Sequence, residues 1–434
     1  MSTSRHLMKV AHQSLARSAA CSDGSRSLNF MNADATSPED RGASGPLSGL
    51  RVIDATHMLA GPYCTWLLGA LGADVVKIER RGAGDFTRII APFKDEKSIY
   101  FMSVNRNKRS LTLDLKHPRG KAVMKRLLTG ADVFVENNRA GVMDRLGFGY
   151  ETVAAFNPRL VYASISGFGQ TGPYRHKPSF DAIAQALSGM MSITGEEAGP
   201  PARVGASIGD IGSSLFATIG VLSALQQRER TGRGTFVDVA MLDCQLALME
   251  NAIARFLNAG ETPRRLGSRH PLIAPFQAFA TADEPIAVCV DTAEQWERLC
   301  GALARPDLLA DPRFPSGSVR ADRHAELEPI LAELFRSRGR AEWLAVLDKA
   351  DVPASAINSV PEALQDPQVV SRNMVKEVPA GSGLRFVSMP IQMPHTPLPD
   401  EKAPPALGEH NDEILADFGF SPEEIDALRA EAVI

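Results

Sequence analysis

The sequence predicts an α/β protein with a large domain on a Rossmann-like parallel sheet and a smaller, α-rich second domain. Two patterns carry this prediction. Short apolar strand segments alternate with helical segments between residues 50 and 168, and strands separated by helices pair in parallel. Between residues 291 and 375 the apolar spacing is helical. A chain of 434 residues is long enough for two such domains.

The elements of the large domain follow in order. Residues 50–55 and 73–79 are predicted strands, and the intervening segment 61–72 is a helix that ends at glycine. Segments 132–137 and 160–168 repeat the strand pattern, and a long apolar helix follows at 212–227. We expect residues 47–240 and 385–434 to form the large domain. Residues 241–384 then hold linkers and the small domain.

Residues 1–46 differ in composition from the rest of the chain. They are rich in serine and contain several arginines, with no acidic residue before Asp23. We expect a disordered tail outside the fold of a cytoplasmic protein. The same composition is typical of organellar transit peptides, so a mitochondrial location is the alternative.

Composition argues against several classes of partner. A net charge of −4 disfavours a nucleic-acid or membrane surface, and we found no apolar stretch of the ~20 residues that span a bilayer. The cysteines are odd in number and lack C-x-x-C spacing, so we expect neither a disulfide framework nor a metal site. They are Cys21, Cys64, Cys244, Cys289 and Cys300.

One carboxylate, Asp210, stands in a run of glycine, serine and small apolar residues that continues as the long helix. A carboxylate without a basic neighbour is costly to bury as an anion, so we interpret Asp210 as a nucleophile. The alternative is a helix N-cap, and the two roles are compatible. Gly205, Gly209 and Gly212 allow a ligand to approach the backbone closely.

The expected ligand crevice lies at the carboxyl ends of the parallel strands. The turn after the first strand lacks the G-x-G-x-x-G pattern, which disfavours a dinucleotide. Arginines and lysines follow several of the strands, and arginine forks suit phosphate groups. The crevice therefore suits an anionic nucleotide.

Ordered motifs from residue 47 onward resemble the family III CoA-transferases, which include formyl-CoA:oxalate, carnitine and succinyl-CoA:dicarboxylate transferases. The appearance is closest to the succinyl-CoA:glutarate type. The resemblance implies an interlocked homodimer and makes Asp210 the catalytic aspartate. The motifs include LSGLRVIDATHMLAGPYC at 47–64, NKRSLTLDLK at 107–116, DVFVENNRAGVMDRLGFGY at 132–150, RTGRGTFVDVAMLD at 230–243 and LGEHNDEIL at 407–415.

The resemblance also implies the binding residues. Coenzyme A enters as a thioester substrate, and we expect no permanently bound cofactor. Four residues would face a dicarboxylate, although a surface turn explains them equally well: Arg264, Arg265, Arg269 and His270. The residues that would contact CoA are Met58, Leu59, Ala60, Arg80, Leu113, Lys116, Asn137 and Arg145.

The predicted activity is transfer of CoA from an acyl-CoA, succinyl-CoA or a similar dicarboxylyl-CoA, to a free carboxylic acid. It would proceed through an aspartyl anhydride and an aspartyl-CoA thioester. One alternative is an α-methylacyl-CoA racemase, but Phe180 stands where the racemase branch has a proton-shuttling histidine, and Asp181 follows it. The other alternative is a non-catalytic acyl-CoA-binding protein.

Overall fold

The computed structural model describes residues 44–434; the predicted tail therefore lies, up to residue 43, outside the described residues. The four strand segments predicted at 50–55, 73–79, 132–137 and 160–168 each match an observed strand within about two residues, and the observed strands confirm an α/β fold. They are β1 (Arg51–Ala55), β2 (Asp74–Glu79), β3 (Phe93–Lys94), β4 (Lys97–Ser98), β5 (Lys108–Thr112), β6 (Val133–Glu136), β7 (Val161–Ser166), β8 (Phe236–Ala240), β9 (Phe276–Phe279), β10 (Ile286–Cys289), β11 (Ala354–Ala356), β12 (Val375–Glu377) and β13 (Arg385–Val387).

Six of these strands form one parallel sheet in the order β5-β2-β1-β6-β7-β8. After β1 the chain adds β2 and β5 on one side, and it then returns to add β6, β7 and β8 on the other. This is the doubly wound Rossmann order, in which the strand order reverses between β1 and its neighbour β6. Ligands of such sheets bind at this point of reversal, beyond the carboxyl ends of the strands.

Several helices cover the two faces of the sheet, and residues 44–434 form nineteen helices in total. They are α1 (Ala60–Ala70), α2 (Ile99–Val104), α3 (Pro118–Thr129), α4 (Val142–Leu146), α5 (Tyr150–Phe156), α6 (Asp181–Ser188), α7 (Met190–Ile193), α8 (Ile208–Thr231), α9 (Met241–Leu248), α10 (Glu250–Ala259), α11 (Ala293–Ala302), α12 (Pro306–Ala310), α13 (Gly317–Asp322), α14 (His324–Phe335), α15 (Arg340–Lys349), α16 (Val360–Ala363), α17 (Pro367–Ser371), α18 (Asn411–Asp417) and α19 (Pro422–Ala430), with a short 3₁₀ turn at Phe86–Ile89.

The two faces bury alternate residues of the strands, as the pleat requires. Val52 and Val75 lie in one apolar cluster with residues of α1 and α8. Ile53 and Val76 lie in a second cluster with residues of α3, α18 and α19. Because both faces are covered, the central strands are largely apolar, and the buried charged residues of β1 and β2, such as Asp54 and Lys77, lie toward the carboxyl ends.

Helix α8 is long and apolar enough, by length and composition, to pass for a membrane span. Our expectation that no apolar stretch has this length was therefore wrong. In the structure, 50% of its most apolar window is buried, and Ala217 and Val221 belong to the first cluster. The helix is apolar because it packs against α1 and the sheet.

Residues 276–356 carry a separate sheet and core. Strands β9, β10 and β11 pair antiparallel, and the residues that pack on them come from α11, α14 and α15. Trp296, Phe335 and Trp343 are each at most 3% exposed in this core. The segment is rich in helices as predicted, but its pattern did not reveal the small sheet.

The C-terminal LGEHN motif covers the edge of the large sheet. Asn411 accepts from the Thr112 amide at 2.9 Å and donates to the Thr112 hydroxyl at 2.8 Å, while the Gly408 amide donates to the Ser110 hydroxyl at 3.0 Å. Both partners lie in β5, the edge strand. The motif thus protects an edge that would otherwise expose unpaired groups.

Candidate functional site

Asp210 lies in the first turn of α8, at its third residue. The predicted N-cap role of Asp210 is wrong: Ser207 occupies the cap position, and its side chain makes no capping hydrogen bond. The carboxylate of Asp181, the first residue of α6, caps the helix instead, since its Oδ1 accepts from the Gly209 amide at 2.8 Å. Asp210 is consequently free of a capping role.

The second oxygen of Asp181 is also engaged. Its Oδ2 accepts from the Gln185 side chain at 2.8 Å, and the Arg203 guanidinium lies 3.6 Å away. Asp181 is buried, with 8% of its surface exposed. Asp181 therefore joins the start of α6 to the start of α8.

Burial, and then the negative charge of Asp181, raise the pKa of Asp210 from 3.8 to about 7. Within residues 44–434, no side chain donates a hydrogen bond to the Asp210 carboxylate, while its backbone carbonyl accepts from the hydroxyls of Ser213 and Ser214. The carboxylate is therefore weakly solvated and basic, which favours nucleophilic attack.

Tyr100 in α2 is a neighbour that the sequence did not indicate. Burial, and then the negative charges of Asp210, Asp85 and Asp181, raise the pKa of Tyr100 to about 12. The phenol therefore stays protonated near these carboxylates and is available as a hydrogen-bond donor. Its signal in the sequence was weak, because a lone tyrosine on a short apolar helix is ordinarily a core residue.

The predicted loop Met58–Ala60 follows β1 and lies against α8. The Ser214 hydroxyl donates to the Ala60 carbonyl at 2.5 Å, one turn along the helix from Asp210. Met58 has a φ of 66°, in the left-handed region. A methionine in that region is strained, so surrounding contacts must hold it there.

The other predicted CoA contacts form two groups on either side of β1. Arg80 and Lys116 are exposed and follow β2 and β5, which are paired neighbours. Leu113 is 2% exposed in the second apolar cluster, and its amide donates to the Glu79 carbonyl. Leu113 therefore offers little side-chain surface to a ligand.

Asn137 and Arg145 form the second group, which lines a cavity of about 510 Å³ at the point of strand reversal. This volume is typical of small-molecule sites. Among residues 44–434, no acidic residue lines it, whereas the basic residues Arg175 and Lys177, which the sequence did not indicate, do. The full lining is His57, Asn137, Asn138, Arg139, Ala140, Val142, Arg145, Ser166, Gly167, Phe168, Arg175, His176, Lys177, Pro178, Ser179 and Phe180.

Phe180 connects this cavity with the carboxylates. Its side chain is 67% exposed at the cavity wall, and it directly precedes Asp181. The ring offers an apolar surface and no titratable proton at this place.

The four predicted substrate residues lie elsewhere, in the loop before β9. Arg264, Arg269 and His270 line a separate cavity of about 590 Å³. Glu197 pairs with Arg269 at 2.7 Å and with Arg264 at 3.4 Å, so both cations already have a carboxylate. Arg265 donates to the Glu196 carbonyl, and the His270 ring accepts from the Leu272 amide.

Among residues 44–434, no cluster of three or more histidine, cysteine, aspartate or glutamate side chains is arranged to hold a metal ion. The site combines a carboxylate of raised pKa at a helix N-terminus, a protonated phenol, and a cation-lined cavity whose wall includes Phe180, the residue before Asp181.

Comparisons with known proteins agree with this architecture. The family model described as CoA-transferase family III matches residues 47–411. An acetyl-CoA:oxalate CoA-transferase of Acetobacter aceti is 42% identical over 381 residues, covering 87% of this chain and 97% of the relative. A succinyl-CoA:glutarate CoA-transferase of Mus musculus is 38% identical over 393 residues, covering 90% of each chain.

A solved structure is similar as well. The crystal structure of a CAIB/BAIF family protein from Brucella suis superposes with a TM-score of 0.78 at 36% identity, covering 86% of this chain and all of that one. The matched residues include Asp210 and the whole parallel sheet. The chain therefore belongs to CoA-transferase family III and is an enzyme of the transferase class.

Proposed function

We propose that the enzyme moves CoA from an acyl-CoA to a free carboxylic acid by covalent catalysis on Asp210. The observation that carries the proposal is the environment of the Asp210 carboxylate. This carboxylate is partly buried, and no side chain in the described part of the chain donates a hydrogen bond to it. Burial and Asp181 raise its pKa to about 7. A structural carboxylate in this position would be paired or hydrogen-bonded.

The reaction balances without a further reactant. The ionised Asp210 oxygen attacks the thioester carbonyl carbon, the C–S bond breaks, and CoA leaves as a thiolate. The donor acyl group is then joined to Asp210 in a mixed anhydride. The thiolate then attacks the Asp210 carbonyl carbon, releasing the donor acid and leaving an aspartyl-CoA thioester. The acceptor carboxylate repeats the two exchanges in reverse. The thiolate remains bound between steps, which gives it a high effective concentration.

Two features of the site suit these steps. The negative charge that Asp210 carries before attack lies at the N-terminus of a 24-residue helix, whose dipole favours anions. Tyr100 remains protonated and is close enough for the charge of Asp210 to act on it, so its hydroxyl is suited to donate to oxygens that gain charge in the anhydride and thioester steps.

The cavity between β1, β6 and the 166–180 segment suits the phosphates of CoA. In the described part of the chain, it is lined by Arg139, Arg145, Arg175 and Lys177 and by no acidic residue. Cations around an acid-free cavity attract a polyanion, and guanidinium groups bind phosphate with paired hydrogen bonds. Arg80 and Lys116 on the far side of β1 offer a second cationic contact, for the other end of the nucleotide.

The acids are proposed to be short dicarboxylates. Support comes from the names of two relatives, the acetyl-CoA:oxalate and succinyl-CoA:glutarate CoA-transferases, since oxalate and glutarate are short dicarboxylates. The cavity with Arg264, Arg269 and His270 supplies the matching positive groups. Because Glu197 now neutralises Arg264 and Arg269, a dicarboxylate would have to displace it or use the remaining hydrogen-bond donors.

We also propose that two chains form an interlocked homodimer, with the small domain as a separate unit. Apolar side chains are exposed on consecutive helices: Leu215 and Ile219 on α8, Leu248 on α9, Phe256 and Leu257 on α10. Apolar patches of this kind mark interaction surfaces, and a second copy would cover them. Light scattering across a concentration series tests the dimer, and a strictly monomeric protein contradicts it.

The test of the function is a matrix of acyl-CoA donors and free acids, with product thioesters identified by mass spectrometry. Transfer should depend on both substrates and should leave CoA attached to Asp210 when the acceptor is omitted, detectable as a peptide adduct. Acyl-CoA binding with neither transfer nor an adduct would support a non-catalytic binding protein instead.

A further inference from the structure

The backbone of Thr56–Met58, between β1 and α1, is held almost entirely by side chains. Asp54 accepts from the Thr56 amide at 2.9 Å, and the Lys77 ammonium donates to the Thr56 carbonyl at 2.9 Å. Asp85 accepts from the Met58 amide at 3.3 Å. Lys77 and Asp85 also pair with each other at 2.9 Å. The ion pair therefore contacts both ends of the segment.

His57, the middle residue of Thr56–Met58, is also held by a side chain. The Asn137 side chain accepts from the His57 amide at 2.9 Å and donates to the His57 carbonyl at 2.7 Å. Such a two-point contact fixes the orientation of the peptide groups. The side chains come from β1, β2, the turn after β2 and the end of β6, so three neighbouring strands position one short loop.

The Lys77–Asp85 pair is costly to bury. Both side chains are at most 1% exposed. Burial acts to lower the pKa of Lys77, but the charges of Asp54, Asp85 and Glu79 outweigh it and raise the pKa. The lysine therefore stays cationic. Replacement of buried ion pairs by apolar groups is often neutral for stability, so stability alone does not account for this pair.

The loop that the pair holds lies between the two parts of the site. His57 lines the cation-lined cavity, and Ala60 accepts from Ser214 on the helix that carries Asp210. Met58 is kept in its left-handed conformation between them. A shift of this loop would move the cavity wall relative to the carboxylate.

We propose that Lys77 and Asp85 are positioning residues, which fix Thr56–Met58 so that a thioester bound in the cavity meets Asp210 in the geometry for attack. The inference rests on the proposed function. Because a displacement of about 1 Å can cost a hundredfold in rate while binding is little affected, the pair should act on kcat more than on CoA affinity.

The test variant is Lys77→Met with Asp85→Asn. Methionine matches the length of lysine without a donor, and asparagine keeps an acceptor for the Met58 amide, so no unpaired charge is left in the core. The matched control is Arg228→Met with Asp132→Asn. Arg228 is 4% exposed and pairs with Asp132 at 2.9 Å at the opposite end of the sheet.

Arg228 also lies on α8, 18 residues after Asp210, or about 27 Å along the helix. We expect kcat of the Lys77/Asp85 variant to fall by about tenfold or more. Its CoA Kd, measured by titration calorimetry, should change by less than about threefold, since the phosphate contacts stay in place. The control should keep the kcat of the wild type.

Three results overturn the inference: an unchanged kcat in the Lys77/Asp85 variant, an equal loss of kcat in the control, or a rise in KM without a fall in kcat. If the double variant does not fold, Asp85→Asn alone decides, because it keeps Lys77 and an oxygen that accepts from the Met58 amide but removes the ion pair. If the wild type neither transfers CoA nor forms the Asp210 adduct, the proposed function fails first. A wild type that forms the adduct while the variant keeps full kcat contradicts only the positioning role.

Discussion

Replacing Asp210 by asparagine should abolish transfer and also make the folded protein less sensitive to alkaline pH. The pKa of Asp210 is raised from 3.8 to about 7 by burial and by Asp181, so the folded state binds this proton more tightly than the unfolded chain. The resulting stabilisation is complete below pH 3.8 and is lost as the pH rises through about 7. Asparagine carries no charge at any of these pH values.

The size of the effect follows from the pKa. Each pH unit between the unfolded and folded pKa costs about 1.4 kcal/mol, so raising the pH from 5 to 8 should cost the wild type roughly 2 to 3 kcal/mol at this residue. The lower bound allows for partial solvent screening of a half-buried group. Asp210→Asn should not show this loss in the free energy of unfolding between pH 5 and pH 8. Its kcat should fall by at least about 10³-fold.

Urea unfolding at equal protein concentration, at pH 5 and at pH 8, measures the difference in the free energy of unfolding. Asp243→Asn, an exposed carboxylate in α9, is the matched control and should behave like the wild type. Transfer is assayed on freshly purified protein, with deamidation excluded by intact mass. An identical pH dependence in wild type and variant would refute the raised pKa, and retained transfer would refute the nucleophile.

Three further predictions concern Asp181, the proposed phosphate contacts of Arg145 and Arg80, and Phe180. Asp181→Asn keeps an acceptor for the Gly209 amide but removes a negative charge, so the acidic pKa of the kcat/KM profile should fall below that of the wild type; an unchanged profile contradicts the electrostatic role. Arg145→Ala and Arg80→Ala each remove a phosphate contact of ~1.5–3 kcal/mol, so the KM for acyl-CoA should rise about tenfold or more while the KM for the acceptor acid changes far less. An equal change in both KM values would place the nucleotide elsewhere. The wild type should not exchange the α-hydrogen of a 2-methylacyl-CoA in deuterated water, because Phe180 cannot carry a proton; rapid exchange without an acceptor acid would favour racemisation.

The local patterns of the sequence determined much of the secondary structure and pointed to Asp210 as the candidate nucleophile. Strands buried on both faces read as apolar runs, and helices between them require parallel pairing, so β1, β2, β6 and β7 were predicted within about two residues. Asp210 was identifiable because a lone carboxylate among small residues has no local partner. The Ser421–Glu424 capping box was also predictable and is present, since both of its hydrogen bonds are made within one turn.

The tertiary structure decided the features that depend on contacts between distant segments. Asp181 and Gly209 are 28 positions apart, so only the packing of α6 against α8 shows that one caps the other. The cation-lined cavity gathers Arg145 from α4 and Lys177 from the loop before α6, and Glu197 reaches Arg269 across 72 positions. Local sequence encodes propensity over a few residues, whereas hydrogen bonds, burial and pKa depend on which side chains the fold brings within a few ångströms.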